Sequence, residues 1–344
     1  DKTISVTKVK FKLPNFIDFR GLPIKHRNEK GLKNSMARIV FNNSDYLITL
    51  DKLMDYEELQ KKLEAKGGYI CLYNGEITKV KGSISYDDIE KIMYSFSSFL
   101  SFLNGKRTSA LFFQGIHDDE VIWSDYSDRF LDQYKFTITW PNKMTIAGLD
   151  NLWQNFDSLW KEPKHKDFLI TATHWYIEAN NQSGFSEGSI IMAQTALELI
   201  YNWLIIETKK LLLGKDAEGI SAANKIRLLL SHLNVDPQIP VGFAELKAFA
   251  DFIDGPDAIV QVRNALVHGQ EEKRKKLTSI SHKIKFQVLN LAIWYIELSL
   301  LYILKHEGFY LNRSIASPFI IGKTQHVPWA KPVAKADKPD SPPN

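Results

Sequence analysis

The spacing of apolar residues changes near residue 145, and this change limits the fold more than any other feature. Before it, apolar and polar residues alternate in short runs, as in strands with one buried face. After it, apolar residues recur every three or four positions, as in amphipathic helices. We therefore expect an α+β domain over residues 1–145, an all-α helical bundle over residues 146–330, and a disordered tail over residues 331–344.

The first domain is predicted to contain several strands. The alternation over residues 3–13 slips by one position near Thr7, which indicates a bulge or two short strands. Asn74-Gly75 lies between two apolar runs, and this pair is typical of a two-residue hairpin turn. Further strands are expected over residues 37–41, 46–50, 109–114, 120–123 and 134–140.

Helix signals occur in both parts of the chain. Ser85 with Asp88, and Asp55 with Glu58, have the spacing of capping boxes, and the first pair precedes an apolar stripe that ends near Gly105. In the second part we expect helices near residues 149–160, 165–181, 186–213, 220–233, 242–252, 256–268 and 278–306.

The composition is that of an ordinary soluble protein. The 344 residues are 44% hydrophobic and 24% charged, and the net charge of +4 permits nucleic acid as a partner without requiring it. The lone Cys71 excludes an internal disulfide and fits a reducing compartment. Residues 288–304 are predicted to form a buried core helix rather than a membrane span, so we expect a cytoplasmic protein without membrane contact. Because the chain begins at Asp1, it can be a trimmed or partial protein.

Residues 263–269, RNALVHG, are the most informative stretch for function. Gly255 and Pro256 suit the start of a helix, and Gly269 suits its end. On this helix Asn264 and His268 are four residues apart and share one face, so the amide can orient the imidazole ring.

Arg263, Asn264 and His268 are the candidate catalytic residues. An arginine binds phosphate through two parallel hydrogen bonds, and a histidine near the negative end of a helix can transfer protons near neutral pH. RNA can be cut in this way without a metal or cofactor, and the sequence contains no metal-binding motif. One histidine supplies one of the two proton transfers, so we expect two chains at the site.

Five further residues are candidates for binding RNA or supporting the catalytic residues. Lys273, Arg274, Lys275 and Lys276 follow the motif and could contact the RNA backbone, although such a run can equally be a solvated loop. Glu198 lies in a polar stripe on an apolar helix and could support Arg263. The alternative, which we favour for Glu198, is a solvated stripe or a buried hydrogen-bond network.

The loose pattern of an arginine, four to six residues and a histidine is weak by itself, because it also occurs from Arg20 to His26 and from Arg227 to His232. The third copy differs in having Asn264 directly after the arginine. The structural alternative is that its arginine and histidine are buried and join two helices.

The second domain resembles the HEPN family, and in particular a prokaryotic, ApeA-like subgroup of HEPN ribonucleases. The resemblance covers residues 150–330 and rests on the Arg263, Asn264 and His268 pattern. It is reinforced by the segments TALELIYNWL at 195–204, KIRLLL at 225–230, GFYLNR at 308–313 and HVPW at 326–329. It implies a helical bundle, a metal-independent endoribonuclease that works as a homodimer, and catalytic roles for the three residues of the pattern.

Two functional hypotheses follow. In the first, the chain is an RNA-cleaving enzyme of antiviral defence, abortive infection or a toxin system, and residues 1–145 sense a trigger or bind a regulatory partner. In the second, it is a non-catalytic module that dimerises or binds a partner, and the arginine and histidine serve the structure.

Overall fold

The computed structural model describes residues 4–28, 31–144, 146–181, 185–267, 271, 275, 278–315 and 320–330. Its first part contains nine strands and two helices along the described chain. The strands are β1 (Ser5–Val6), β2 (Lys8–Pro14), β3 (Leu22–Asn28), β4 (Gly31–Asn42), β5 (Tyr46–Lys52), β6 (Cys71–Lys79), β7 (Ile84–Ser85), β8 (Leu111–His117) and β9 (Glu120–Asp125). The helices are α1 (Tyr56–Lys66) and α2 (Tyr86–Asn104).

Seven of these strands form one antiparallel sheet in the order β3-β4-β5-β6-β2-β8-β9. In the inner strands β2, β4 and β5, alternate residues face the core. In β2, Val9 and Phe11 are buried, whereas Lys10 and Lys12 are exposed. One face of the sheet is therefore apolar and covered, and the other is polar and open to solvent.

The second part is mainly helical. Its helices are α3 (Leu149–Lys161), α4 (Pro163–Asn181), α5 (Phe185–Tyr201), α6 (Lys215–Glu218), α7 (Ala222–His232), α8 (Ala244–Ala248), α9 (Gly255–Val267), α10 (His282–Ile303) and α11 (Ile320–Lys323). The segment Asn202–Thr208 continues α5 as a π-helix. A two-stranded antiparallel ribbon pairs β10 (Phe309–Leu311) with β11 (Thr324–His326).

A single hydrophobic core crosses from the first part into the second. Helix α2 packs on the sheet through Phe96, whose ring meets that of Phe41 at a centroid distance of 5.4 Å. On its other side, Phe99 contacts Trp153 of α3 at 5.3 Å, and Phe102 contacts Tyr176 of α4 at 5.7 Å. Helix α2 therefore lies between the sheet and the helical part.

Two helical segments are long and apolar enough to cross a membrane by length and composition alone. They are Phe185–Thr208 and His282–Ile303, and 61% and 89% of their apolar windows are buried inside the protein. Burial of this kind is typical of core helices in soluble folds, so these segments are weak support for a membrane protein. The expected buried core helix over residues 288–304 is confirmed within α10.

Arg313 and Glu297 form a buried ion pair at the junction of the two parts. The arginine Nε and Nη2 atoms donate to the two carboxylate oxygens at 2.7 and 2.6 Å, and the side chains are 3% and 0% exposed. Nη2 also donates to the Asn180 amide oxygen at 2.8 Å and to the Ile138 carbonyl at 2.7 Å. The Tyr176 hydroxyl donates to Glu297 at 2.9 Å. Burial and the nearby charge of Glu297 raise the pKa of Tyr176 well above its ordinary value, so this hydroxyl remains a donor.

The same network reaches the end of α2. Asn180 donates to the Gly105 carbonyl at 3.0 Å, and Thr139 donates to the Leu103 carbonyl at 2.9 Å. Gly105 ends α2 in a left-handed conformation, with φ of 67°, and a side chain there would meet Asn180 and Thr139. Glycine adopts the left-handed conformation without strain and has no side chain to collide with these residues.

Several local predictions are confirmed. The slip near Thr7 separates β1 from β2, and Ser85 and Asp88 form a complete capping box at the start of α2. Asp55 precedes α1, but its side chain makes no capping hydrogen bond, so the second capping box is wrong.

The predicted hairpin at Asn74-Gly75 is also wrong. Strand β6 runs through this pair without a turn and places Gly75 opposite Phe11 of β2. A Cβ atom at Gly75 would collide with the Phe11 ring, so glycine is needed here for close packing rather than for a turn.

The strand expected over residues 134–140 is absent. Within this described stretch the chain has no regular structure, and the nearest pairing is an isolated bridge from Pro141 to Tyr310. Alternating hydrophobicity here reflects a segment that lies along the helical part, with Trp140 buried and Phe136 exposed.

Replacing Gly75 with alanine is expected to lower the free energy of unfolding by about 1–3 kcal/mol, because the methyl group would displace the buried Phe11 ring. Urea unfolding measures the change. Gly188→Ala is the matched control, because Gly188 lies in α5 with nothing within 4 Å of its Cβ position, and alanine should stabilise by about 0.5–1 kcal/mol. Changes of the same sign in both variants would contradict the packing argument.

Replacing Arg313 with methionine is expected to lower the free energy of unfolding by about 3–5 kcal/mol, because Glu297 would stay buried without its partner. Adding Glu297→Gln should recover part of this loss, since no unpaired charge then remains. Lys62→Ala, which breaks an exposed pair with Glu58, should leave the urea midpoint unchanged. An Arg313→Met chain as stable as the parent would show that the pair does not hold the junction.

Candidate functional site

Helix α9 carries the candidate site, and its start is firmly held. The Asp254 carboxylate accepts from the Asp257 backbone at 2.9 Å and receives two hydrogen bonds from Arg227, at 2.6 and 2.9 Å. Gly255 packs so closely on Tyr295 of α10 that a side chain would collide with the tyrosine hydroxyl. The predicted helix start at Gly255 and Pro256 is thus confirmed, and its physical reason is contact with α10.

Arg263 and Asn264 lie on the less buried side of α9. The helix packs into the core through Ala258, Ile259 and Val262, which are fully buried. Arg263 Nη1 donates to the Asn264 amide oxygen at 3.3 Å, and both side chains are partly exposed. Within the described part of the chain, no carboxylate forms an ion pair with Arg263. A partly exposed guanidinium can donate to an anion such as phosphate.

Most of the remaining candidate site residues lie outside the described residues. His268, Lys273, Arg274 and Lys276 all fall there, so their predicted roles stay predictions. Lys275 is described and pairs with Glu271 at 2.8 Å, with side chains 74% and 71% exposed. This pair is solvated and leaves Lys275 accessible.

Glu198 is placed in a hydrogen bond along its own helix. Its carboxylate accepts from the Gln194 amide at 2.9 Å, and the described ion pairs include none between Glu198 and Arg263. The Gln194 oxygen is buried without a described partner. The side chain of Glu198 thus takes part in a local polar contact on α5, and support for Arg263 stays a prediction.

The other two occurrences of the loose arginine-to-histidine pattern have different surroundings. Arg227 is bound by Asp254, as described above, and His232 lies 3.2 Å from the Tyr302 hydroxyl. Burial, with a smaller contribution from the charge of Lys209, lowers the pKa of His232, which favours the neutral ring. Arg20 is exposed and belongs to no described helix. Of the three arginines, Arg227 is therefore bound to Asp254. Among the described contacts, Arg263 does not bind this carboxylate.

One surface was missed by the sequence interpretation. The open face of the sheet carries a cavity of about 380 Å³ lined by residues of β2, β4, β5, β6 and β8. It could not be found from sequence, because its lining residues come together only through strand pairing. Among the described residues, no group of three or more His, Cys, Asp or Glu is placed to hold a metal ion.

Comparison with known proteins places the chain in a family. Residues 1–137 match the YopA central domain, and residues 162–321 match the YopA C-terminal domain. The chain is also 30% identical, over 328 residues, to the SPbeta prophage-derived uncharacterized protein YopA of Bacillus subtilis (strain 168). This alignment covers 94% of the chain and 72% of the relative. No solved structure matches the chain.

These matches correct the resemblance drawn from the sequence. The HEPN assignment was wrong: both matching domain families are YopA domains, and the segment from 162 to 321 contains all the residues on which the assignment rested except those at 326–329. A short arginine-to-histidine pattern on a helix was too common to identify a family. With 30% identity over 94% of its length, the chain belongs to the YopA family.

Proposed function

We propose that this chain is a metal-independent endoribonuclease that acts as a homodimer through Arg263, Asn264 and His268. The observation that supports the proposal most is the position of Arg263 and the contacts of its guanidinium. Its guanidinium lies on the less buried side of a firmly held helix, beside the Asn264 amide, and has no carboxylate partner within the described residues. An arginine in this state is suited to bind a phosphodiester.

The proposed reaction uses two proton transfers. A base removes the proton of an RNA 2′-hydroxyl, whose oxygen attacks the adjacent phosphorus. The bond from phosphorus to the 5′-oxygen breaks, and an acid gives that oxygen its proton. The products are a 2′,3′-cyclic phosphate and a free 5′-hydroxyl. Arg263 stabilises the charge on the phosphate oxygens as the reaction passes its transition state.

The dimer follows from the number of titratable groups. The motif provides one histidine in each chain, and the reaction needs both a base and an acid. A two-fold axis beside α9 would bring His268 of one chain opposite the same residue of its partner. Lys275 and its basic neighbours Lys273, Arg274 and Lys276 would then extend the phosphate-binding surface.

The biological setting is proposed from the relative. A prophage-derived relative favours a role in defence or toxin-like RNA cleavage inside the bacterial cytoplasm. The first part of the chain would receive the trigger. A second candidate function is a non-catalytic dimerisation or partner-binding module, favoured by exposed apolar side chains near α9, with Ile253 77% and Val267 45% exposed.

Purified chain is expected to cleave single-stranded RNA in the presence of EDTA and to leave cyclic phosphate ends, because the proposed chemistry uses no metal. His268→Ala should slow cleavage by about 10²–10⁴-fold and Arg263→Ala by about 10²–10³-fold. Arg20→Ala is the control, because this arginine also precedes a histidine, with five intervening residues instead of four, but lies outside α9. Activity that disappears in EDTA and returns with magnesium would contradict the mechanism.

Mixed dimers test the shared site. A dimer of one Arg263→Ala chain and one His268→Ala chain keeps one intact arginine and one intact histidine, so it should regain partial cleavage that neither homodimeric variant has. Cleavage is measured after mixing separately purified chains, with circular dichroism to confirm folding. Full activity of a strictly monomeric chain in sedimentation would exclude the shared site.

A further inference from the structure

The open face of the seven-stranded sheet carries a group of side chains that the proposed cleavage site does not use. We call Lys10, Lys12, Asn74, Phe112 and Gln114 the sheet platform. All five line the 380 Å³ cavity on this face. In the register of the sheet, Lys12 lies opposite Asn74, and Lys10 lies opposite Gln114. The platform therefore spans the three adjacent strands β6, β2 and β8.

Phe112 is the unusual member of the platform. The pairing of β8 with β2 shifts register between Lys10 and Lys12, so Phe112 and Phe113 together oppose one residue of β2. Phe113 is buried, whereas Phe112 is 46% exposed and has a φ of 57°. A bulky side chain in this left-handed region is strained, and glycine would fit without strain. Strain of this kind concentrates at binding sites.

The surroundings of the Phe112 ring are aromatic, amide-bearing and basic. The ring of Tyr126, a residue that is 70% exposed, lies 6.2 Å away. Lys12 donates to the Asn74 amide oxygen at 2.6 Å, and Lys10 and Lys12 have no ion pair among the described contacts. The other cation of the cavity, Arg38, is neutralised by Asp51 at 2.6 Å. Glu76 is the second carboxylate in the cavity lining and lies opposite Lys10.

These groups match the parts of a nucleotide. An exposed ring stacks on the flat face of a base, side-chain amides bond its polar edge, and lysines contact the phosphates on either side. The cavity volume is within the range of sites for small organic groups. A duplex hides its base faces by stacking, so the platform fits an unpaired strand better than a double helix.

We infer that the sheet platform binds single-stranded RNA, with a base stacked on Phe112 and phosphates at Lys10 and Lys12. The inference rests on the proposed function for the choice of RNA, and it assigns the first part of the chain a role in holding the substrate. Binding is a separate property from cleavage, so each proposal can fail without the other.

Binding is measured by fluorescence anisotropy of a short labelled single-stranded RNA of mixed sequence, with the full chain carrying His268→Ala to slow cleavage. Phe112→Ala is expected to weaken binding by about 5- to 150-fold, the loss of one stacked base. Phe112→Gly should weaken binding as much while leaving the urea midpoint equal or higher, because glycine relieves the backbone strain. A merely structural role for Phe112 would move stability and binding together.

Two further variants complete the test. Lys10→Gln with Lys12→Gln should flatten the dependence of the logarithm of the binding constant on the logarithm of salt concentration by about 0.7 per lost contact. Phe185→Ala is the matched control, since Phe185 is 82% exposed with a φ of 56° but lies at the start of α5. Its binding should be unchanged.

Three outcomes would overturn the platform. They are equal binding by the parent and Phe112→Ala, equal affinity for duplex RNA of the same sequence, and a loss of binding in Phe185→Ala as large as in Phe112→Ala. After any of these outcomes, the cleavage assay with Arg263→Ala would still test the proposed function. Conversely, RNA binding that depends on Phe112 in a chain without nuclease activity would support the platform and reject the enzyme.

Discussion

The buried ion pair between Arg313 and Glu297 is the interaction on which the arrangement of the two parts depends. Removing two charges from water is costly, and their attraction offsets this cost only when the remaining donors and acceptors are also bonded. Here Arg313 reaches Asn180 and the Ile138 carbonyl, and Glu297 accepts from Tyr176. These partners come from separate elements, so the charges are satisfied only when α4, α10 and the segment after β9 are assembled together.

The two proposed functional surfaces rest on different kinds of support. Arg263 lies on a helix whose first turn is held by hydrogen bonds to Asp254, which Arg227 also binds, and packs against α10. Rigid support suits the stabilisation of a transition state, which requires groups held to within about 0.5 Å. Phe112 lies in a strained bulge of β8. Stacking tolerates small shifts and any base, so a ring presented by a bulge is adequate for holding a strand.

Local signals in the sequence predicted local structure, and failures arose where distant residues decide the conformation. Ser85 and Asp88 interact within one helical turn, and their capping box was predictable. Gly75 resembled a turn signal in the sequence. The need for glycine at this position comes from the Phe11 ring, which lies on another strand. Arg313 lies 133 residues from Asn180, and no spacing pattern connects them. For the candidate site, the start of α9 was predictable, whereas the HEPN resemblance rested on too short a pattern to survive comparison.

The shared aromatic core has a consequence for how such chains diversify. The first matched family domain ends at residue 137, and the second begins at residue 162. Helix α3 lies between them, and its Trp153 packs on Phe99 of α2. Across the same boundary, Phe102 touches Tyr176. A gene that joined the first domain of one relative to the second domain of another would bring together faces shaped for different neighbours. Recombination at this boundary is therefore disfavoured, and the two domains should be inherited as one unit.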